Sequence, residues 1–188
     1  MKFYYPCKPN TLSPDSKLFA ELDNDPSWGA ELKKNGIRCL VEKENGKVIL
    51  WNRFHRIIKP YPEIIIPLRE LPDGIMLDGE LIAKKGETPK LFLFDLIDTW
   101  IWNDGLIKIL SERRSCLEEI LKPILPHPNI ILLRQVVDHK IDFFRSICRA
   151  RELGFSENEG LVLKKLDSNY WISEHRSVKN PFWLKVKI

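Results

Sequence analysis

The chain has 188 residues, of which 44% are hydrophobic and 30% are charged, the composition of one compact domain with a sizeable core. Its apolar runs stay short of the roughly 20 residues that cross a bilayer, and Met1–Pro6 lacks the apolar segment of a secretory signal. We therefore expect a single domain, residues 1–188, in the cytoplasm and away from membranes. The net charge of +4 is too small to indicate nucleic-acid binding by itself.

Turn residues and apolar spacing predict an alternation of short strands and two helices. The elements in chain order are a hairpin of strands 36–43 and 47–51 across Asn45-Gly46, a hairpin of strands 76–84 and 90–97 across Gly86, helix 106–122, a strand near 129–137, helix 140–153, and strands near 160–165 and 182–188. Because a regular strand–helix repeat is absent, the fold class is α+β, with two largely antiparallel sheets flanked by helices.

Cysteine and histidine spacing gives no sign of a metal site or of a disulfide framework. No two cysteines form a CxxC pair, so we interpret all four as reduced packing residues. The histidines likewise lack metal-ligand spacing. The residues concerned are Cys7, Cys39, Cys116, Cys148, His55, His127, His139 and His175.

The segment Glu31–Arg38 combines an acid, a lysine, a turn and an arginine. Asn35-Gly36 favours a backbone bend, and the alternation after it predicts a half-buried strand. Lys33 is therefore a candidate nucleophile at the mouth of a strand. The alternative is an exposed lysine in an ordinary turn.

Two groups of cations stand out along the chain. The first lies among aromatic residues, a mixture that suits phosphate backbone and bases, although a solvated basic loop has the same composition. The second falls on helix 140–153 and is interpreted as its solvent-exposed face. The cations are Arg53, His55, Arg56 and Lys59 in the first group and Lys140, Arg145, Arg149 and Arg151 in the second.

Strand periodicity turns two pairs of charges into a candidate groove. Asp78 and Glu80 share one strand face, and so do Lys185 and Lys187. If both faces line one groove, carboxylates for a metal or ribose oppose ammonium groups for phosphate. Otherwise the two lysines are simply the solvent face of an edge strand.

Six segments occur in an order typical of one enzyme superfamily. They are Glu31–Arg38, Leu50–Phe54, Leu77–Leu81, Phe92–Leu96, Glu159–Lys164 and Trp183–Lys187. In this order they resemble motifs I, Ia, III, IIIa, IV and V of ATP-dependent DNA ligases and their relatives, the RNA ligases and mRNA capping enzymes. Tyr61–Ile64 resembles a segment that often follows motif Ia, and Glu112–Arg114 and His175–Ser177 resemble DNA ligases in particular.

The resemblance implies an ATP-grasp-like nucleotidyltransferase core and a ligase reaction. Lys33 would attack the α-phosphate of ATP, expel pyrophosphate and hold AMP covalently. The AMP would pass to the 5′-phosphate of a nick in double-stranded DNA, and the 3′-hydroxyl would then seal the strand. The protein would act as a monomer in DNA repair, replication or recombination.

Roles for other residues are also implied by the resemblance. Glu31 would read the adenine edge, Phe94 would stack on the base, and Lys185 and Lys187 would grip the α-phosphate. Glu80 would bind ribose or metal, Glu159 would help to place Mg²⁺ (or Mn²⁺), and Arg38 and Arg53 would engage ribose or the phosphates at the nick.

Two departures from the family pattern affect these expectations. Asn35 stands where motif I most often has aspartate, so we expect an altered rate or metal dependence. The chain ends at Ile188, directly after motif V, which leaves no room for the OB-fold domain that normally follows. If the chain acts alone, we expect slow adenylation, and we expect nick sealing to need either a partner that supplies the function of the OB fold or a wide basic face.

Three alternative functions remain open. An RNA ligase is the nearest. A capping guanylyltransferase is less favoured, because Glu159-Gly160 stands where those enzymes usually carry Asp-Gly. The third is a module with the ligase fold that binds nicked or structured nucleic acid without catalysis.

Overall fold

The computed structural model describes residues 4–98, 108–156 and 158–188, which form two sheets and four helices. One sheet has the order β1 (Lys8–Leu12), β9 (Lys179–Lys187), β8 (Gly160–Lys165) and β2 (Trp28–Lys33). The other has the order β4 (Lys47–Asn52), β3 (Ile37–Glu44), β5 (Ile75–Ile82), β6 (Lys90–Asp98) and β7 (Ile130–Leu132). The helices are α1 (Lys17–Glu21), α2 (Pro62–Leu68), α3 (Leu110–Leu121) and α4 (Lys140–Glu152).

Strand directions confirm the predicted fold class. Neighbouring strands are antiparallel except for β1 with β9 and β6 with β7. Both predicted hairpins are present. Asn45 and Gly46 have φ values of 49° and 73°, as a type I′ turn requires.

Several elements differ from the sequence prediction. The sequence prediction did not include strands β1 and β2 or helices α1 and α2. Helix α2 begins at Pro62, where the missing amide costs no helical hydrogen bond, and Pro67 lies inside the helix, one residue before its end. The strand expected near 129–137 is only three residues long. After Leu133 bonds to Leu93, the chain crosses to the other sheet, where Val136 exchanges two backbone hydrogen bonds with Ala30. The first two residues of predicted helix 106–122 lie outside the described residues.

Three clusters of buried side chains hold the layers together. One packs the five-stranded sheet against α2 and α3, and another packs the four-stranded sheet against α1 and α4. The third lies between the two sheets and contains Leu40, Met76, Tyr170 and Trp183. Within the described residues, no helix is long and apolar enough to cross a membrane.

Lys140 corrects the interpretation of α4 as carrying only exposed cations. Its side chain is buried, and its ammonium donates hydrogen bonds to the backbone carbonyls of Asp23, Asp25 and Val137. It therefore joins the start of α4 to the loop after α1. Arg145 and Arg151 on the same helix are exposed, as predicted.

A buried ion pair fixes α3 against the five-stranded sheet. Arg113 donates to both carboxylate oxygens of Asp95 on β6, at 2.7 and 3.0 Å. Its Nη1 donates to the carbonyls of Lys108 and Ser168, at 2.8 and 3.2 Å. Arg113 belongs to Glu112–Arg114, one of the segments that resemble DNA ligases, but its contacts serve to hold α3 against β6.

Replacing Arg113 with Ala should lower the free energy of unfolding by about 3–5 kcal/mol, because the Asp95 carboxylate would stay buried without its partner. Urea unfolding of the two proteins measures the difference. The matched control is Arg145→Ala, which removes an exposed pair with Asp142 on one helix and should change stability by roughly 0.5 kcal/mol or less. Equal effects of the two substitutions would contradict the structural role of Arg113.

Candidate active site

Three neighbouring strands of the four-stranded sheet place the predicted site residues in rows. Lys33 pairs with Gly160, and Gly160 pairs with Lys187. One row further along, Glu31 pairs with Val162, which pairs with Lys185. The third row is formed by Gly29, Lys164 and Trp183. Because strand side chains alternate between faces, all three rows project from the same face of the sheet.

That face forms one wall of a cavity of about 670 Å³, a size typical of small-molecule sites. Seven of the nine predicted site residues line the cavity, namely Glu31, Lys33, Arg38, Arg53, Glu80, Phe94 and Lys185. Glu159 and Lys187 instead line an adjacent pocket.

The candidate nucleophile is held by a carboxylate from motif IV. Lys33 donates a hydrogen bond to Oε2 of Glu159, and the ammonium of Lys187 lies 3.4 Å from the same oxygen. The backbone amide of Glu159 donates to the carbonyl of Lys33 at 2.8 Å. The hydrogen bond from Lys33 holds the pKa of Glu159 below its ordinary value, so the carboxylate stays charged at neutral pH.

Gly160 makes this contact possible. Its φ of 129° lies in a region that side chains rarely adopt, and a Cβ at this position would lie 2.0 Å from the carbonyl oxygen of Val186. Glycine therefore lets β8 approach β9 closely where Glu159 turns toward Lys33. The close contact between β8 and β9 therefore requires glycine at position 160, which is also the residue of the motif.

Glu31 is buried beneath the cavity among three donors. The ammonium of Lys164 lies 2.7 Å from its Oε2, Nε2 of Gln135 donates to its Oε1 at 3.1 Å, and Nη1 of Arg114 lies 3.6 Å from Oε1. Gly29 leaves the space that Gln135 fills, because a Cβ there would lie 2.5 Å from the side-chain amide carbon. The carboxylate is therefore fixed in position by its surroundings.

The five-stranded sheet contributes the opposite wall. Arg38 on β3 makes a bidentate ion pair with Asp78 on β5, which also accepts a 2.6 Å hydrogen bond from the hydroxyl of Tyr170. Although burial alone would lower it, the Asp78 carboxylate raises the pKa of Arg38 above its ordinary value. Asp78 was predicted to share a groove with Glu80, but it is fully buried and serves to orient Arg38.

Glu80 and Phe94 face the cavity from β5 and β6. Oε1 of Glu80 accepts a hydrogen bond from the backbone amide of Gly36 at 3.1 Å, and burial raises its pKa. The Phe94 ring is only 9% exposed, and its centroid lies 4.5 Å from the ammonium of Lys164 and 4.8 Å from the guanidinium carbon of Arg38. The ring is therefore flanked by cations that also line the cavity.

Two residues directly after β4, Arg53 and Phe54, line the cavity. The guanidinium carbon of Arg53 lies 4.7 Å from the ring centroid of Phe54, and Phe54 is 60% exposed. His55, by contrast, contacts Trp51 at 4.8 Å between ring centroids. One cation of the first group and an exposed aromatic ring thus border the cavity.

Lysines dominate the electrostatics of the sheet face. Burial and the nearby ammonium groups of Lys187 and Lys33 lower the pKa of Lys185. Lys185 lines the same cavity as Glu80, which agrees with the groove predicted from strand periodicity. Lys187 lies on the same strand face two residues further along β9, where it lines the adjacent pocket.

Three residues around Glu31 were missed as site residues by the sequence prediction. Lys164 could have been found, because it shares the strand face of Gly160 and Val162 at a spacing of two. Arg114 lay in a segment that resembled DNA ligases, but with no role given to it. Gln135 carries no signal, because its position depends on the crossing between the two sheets.

The side chains around the cavity suit a nucleotide and Mg²⁺ held partly by that nucleotide. Among the described residues, no group of three or more His, Cys, Asp or Glu could hold a metal by protein ligands alone. Mg²⁺ is usually held by one or two carboxylates together with substrate phosphates, and Glu80 and Glu159 fit that pattern. The cavity also combines an aromatic ring, a carboxylate and several cations, as a nucleotide requires.

Comparison with known proteins adds two curated relatives. The chain is 28% identical over 183 residues to the SPbeta prophage-derived DNA ligase-like protein LigB of Bacillus subtilis (strain 168), covering 87% of this chain and 62% of that protein. It is 28% identical over 191 residues to a DNA ligase of Thermococcus fumicolans, covering 84% of this chain and 32% of the relative. The chain thus spans less than two thirds of the length of either relative. No protein-family model matches it.

Solved structures share the fold. A mycobacterial DNA ligase D complexed with ATP and MES matches with a TM-score of 0.66 and 19% identity, over 98% of this chain and 60% of that one. The Chlorella virus DNA ligase-adenylate matches with a TM-score of 0.60 and 22% identity, over 96% and 69%. An archaeal ATP-dependent RNA ligase matches with a TM-score of 0.58 and 18% identity, over 97% and 48%.

These matches confirm the resemblance found in the sequence. The chain has the fold of the nucleotidyltransferase domain of ATP-dependent DNA ligases, and its curated homologues are named DNA ligases or DNA ligase-like.

Replacing Gly160 with Ala should destabilise the fold and displace Glu159 from Lys33, because the new methyl group collides with the backbone of β9. The matched control is Gly86→Ala, where φ is also positive, at 84°, but a Cβ meets nothing within 4 Å. Thermal unfolding should show a cost of about 1 kcal/mol for the control, from backbone strain alone, and a clearly larger one for Gly160→Ala. Equal costs would show that the close approach of β8 and β9 does not require glycine.

Proposed function

We propose that this chain is the adenylation core of an ATP-dependent DNA ligase. The observation that carries the proposal is the position of Lys33. It ends β2 at a cavity of nucleotide size, and the same cavity is lined by an aromatic ring, two carboxylates and further cations. The homology to DNA ligases supports the reaction class.

In the proposed reaction, the Lys33 amine attacks the α-phosphorus of ATP. A nitrogen–phosphorus bond forms, the bond from the α-phosphorus to the bridging oxygen breaks, and pyrophosphate leaves with the electron pair. Lys33 must first give up a proton to solvent water, because an ammonium has no free electron pair with which to attack. The hydrogen bond to Glu159 holds the amine in position before attack, and the release of that bond frees it.

The cations around the cavity would bind the phosphates. Lys185, whose pKa is lowered by burial and by its lysine neighbours, would contact the α-phosphate and stabilise the charge that develops there. Arg38 is oriented by Asp78 toward the cavity and would bind ribose or phosphate oxygens. Lys187, in the adjacent pocket, would add positive charge near the same phosphates.

The base and sugar would lie between the two sheets. Phe94 would present its ring to the purine, the fixed carboxylate of Glu31 would accept a hydrogen bond from the adenine amino group, and Glu80 would bind a ribose hydroxyl. Glu80 and Glu159 would hold Mg²⁺ or Mn²⁺ together with substrate phosphates. When bound, the metal would supply positive charge that favours departure of pyrophosphate.

The substrate of the later steps is proposed to be nicked double-stranded DNA, with Arg53 and the other cations of the first group contacting phosphates near the nick. AMP would pass from Lys33 to the 5′-phosphate, and attack by the 3′-hydroxyl would release AMP and seal the strand. RNA ligation is the second candidate, because an RNA ligase shares the fold over nearly the whole chain. A location in the cytoplasm and a partner that supplies the function of an OB fold are also predictions.

Incubation with α-labelled ATP and Mg²⁺ should transfer label to the protein, and Lys33→Ala should abolish the transfer because the attacking amine is gone. The matched control is Lys17→Ala, which removes an exposed lysine on α1 whose side chain is 92% accessible, and should leave label transfer unchanged. Persistent labelling of Lys33→Ala would overturn the assignment of the nucleophile.

Nucleotide labelling, strand sealing and duplex binding together distinguish the alternatives. GTP labelling the protein better than ATP would favour a capping guanylyltransferase. Efficient sealing of nicked RNA but not of nicked DNA would favour an RNA ligase. Tight binding of nicked duplex without any covalent nucleotide would indicate a module that binds without catalysis.

A further inference from the structure

A second pocket lies next to the nucleotide cavity, on the other side of Glu159. Its volume is about 430 Å³, and three cations from different parts of the chain line it together with Asn35 and Ser156. The cations are Lys84, just after β5, Arg151 near the end of α4, and Lys187 at the end of β9. None of the motif roles carried over from ligases includes Lys84, Arg151 or Ser156.

The charges of this pocket are not balanced by its own carboxylate. Glu159 is the only acidic side chain among the described lining residues, and its Oε2 already contacts both Lys33 and Lys187. The ammonium of Lys84 lies 4.0 Å from Glu87, at the surface. Among the described lining residues, cationic side chains therefore outnumber acidic ones by three to one.

Two polar groups of the lining add hydrogen-bonding capacity. The hydroxyl oxygen of Ser156 accepts hydrogen bonds from the amide and the side chain of Asn158, at 3.2 and 2.8 Å, which leaves its own proton for another acceptor. The side-chain amide of Asn35 can donate as well. A concave site with three cations and such donors is suited to an oxyanion.

The convergence of these cations matters more than any one of them. Arg151 lies in the last turn of α4, where a cation complements the helix dipole, so by itself it indicates no ligand. Lys84 and Lys187 come from the ends of two strands in different sheets. Neither the dipole of α4 nor the pairing of the strands explains why all three cations lie at one pocket.

We propose that this pocket binds phosphate next to the nucleotide cavity, as a subsite separate from the one that holds the α-phosphate. The inference rests on the proposed function in that it takes Lys33 to be the nucleophile. The phosphate has two chemical sources, the pyrophosphate group of the nucleotide and a backbone phosphate of the nucleic acid. In either case Glu159 connects the pocket to Lys33, because Lys33 and Lys187 both contact its Oε2 atom.

The test compares two double variants that remove the same charge. Lys84→Gln with Arg151→Gln empties the pocket of two cations and leaves Lys187 in contact with Glu159. The control is Lys122→Gln with Arg145→Gln, which removes two exposed cations that pair with neighbours on their own helices. The probes are inorganic pyrophosphate, measured by calorimetry, and a nicked DNA duplex, measured by fluorescence anisotropy over a series of salt concentrations.

The pocket variant should bind at least one probe about tenfold more weakly than the control, as expected for the loss of charge-assisted hydrogen bonds. Weakened binding of pyrophosphate alone assigns the pocket to the nucleotide. Weakened binding of the duplex alone assigns it to the nucleic acid, with the salt dependence reduced by about 0.9 per lost phosphate contact. Binding of both probes equal to that of the control would overturn the proposal.

Two further measurements keep the outcome interpretable. Thermal unfolding of each variant establishes that the fold is retained, and the single variants Lys84→Gln and Arg151→Gln replace the double variant if it is not. Label transfer from ATP is measured on the same wild-type preparation. Because the binding assays need no catalysis, a failure of label transfer contradicts the proposed function, whereas unchanged binding contradicts the phosphate pocket.

Discussion

The candidate site depends on one constraint, the pairing register of β2, β8 and β9. That register sets Lys33 beside Gly160, brings the Glu159 carboxylate to the Lys33 side chain, and places Lys187 in the same row and Lys185 in the next row. A shift of one residue in β2 would turn Lys33 and Glu31 toward the buried cluster beneath the sheet, because strand side chains alternate between faces. The apolar residues Ala30 and Leu161 on the opposite face are fully buried and oppose such a shift.

Buried charges position the cavity walls rather than simply stabilising the fold. The Glu31 carboxylate with Lys164, and Arg38 with Asp78 and Tyr170, are removed from water, so the attraction within each pair is largely offset by the loss of hydration. What these pairs provide is a fixed direction for each group. Lys33 is held differently, by the Glu159 carboxylate, one oxygen of which Lys187 also contacts.

Much of this arrangement could be predicted from sequence because the patterns are local. The Asn45-Gly46 turn, the helix over Lys140–Glu152 and the common face of Lys185 and Lys187 each follow from residues close together in the chain. Cross-strand partners do not, since periodicity gives the face of a side chain but not what it meets. For that reason Asp78 was expected to line the groove, although it is buried with Arg38 and Tyr170 as its partners. Lys187 was expected in the same groove as Lys185, although it lines the adjacent pocket, and Gln135 was missed. The roles carried over from ligases for the nine site residues stay predictions.

The central claim is that Lys33 is the amine that accepts the nucleotide, and the most direct measurement is the position of the covalent AMP. Wild-type protein would be incubated with ATP and Mg²⁺, digested under conditions that preserve a phosphoramidate, and fragmented in a mass spectrometer. One AMP is expected on the peptide that contains Lys33, attached to that residue. An AMP on Lys34, Lys164 or Lys185, all of which line the same cavity, would contradict the assignment of Lys33 as the nucleophile.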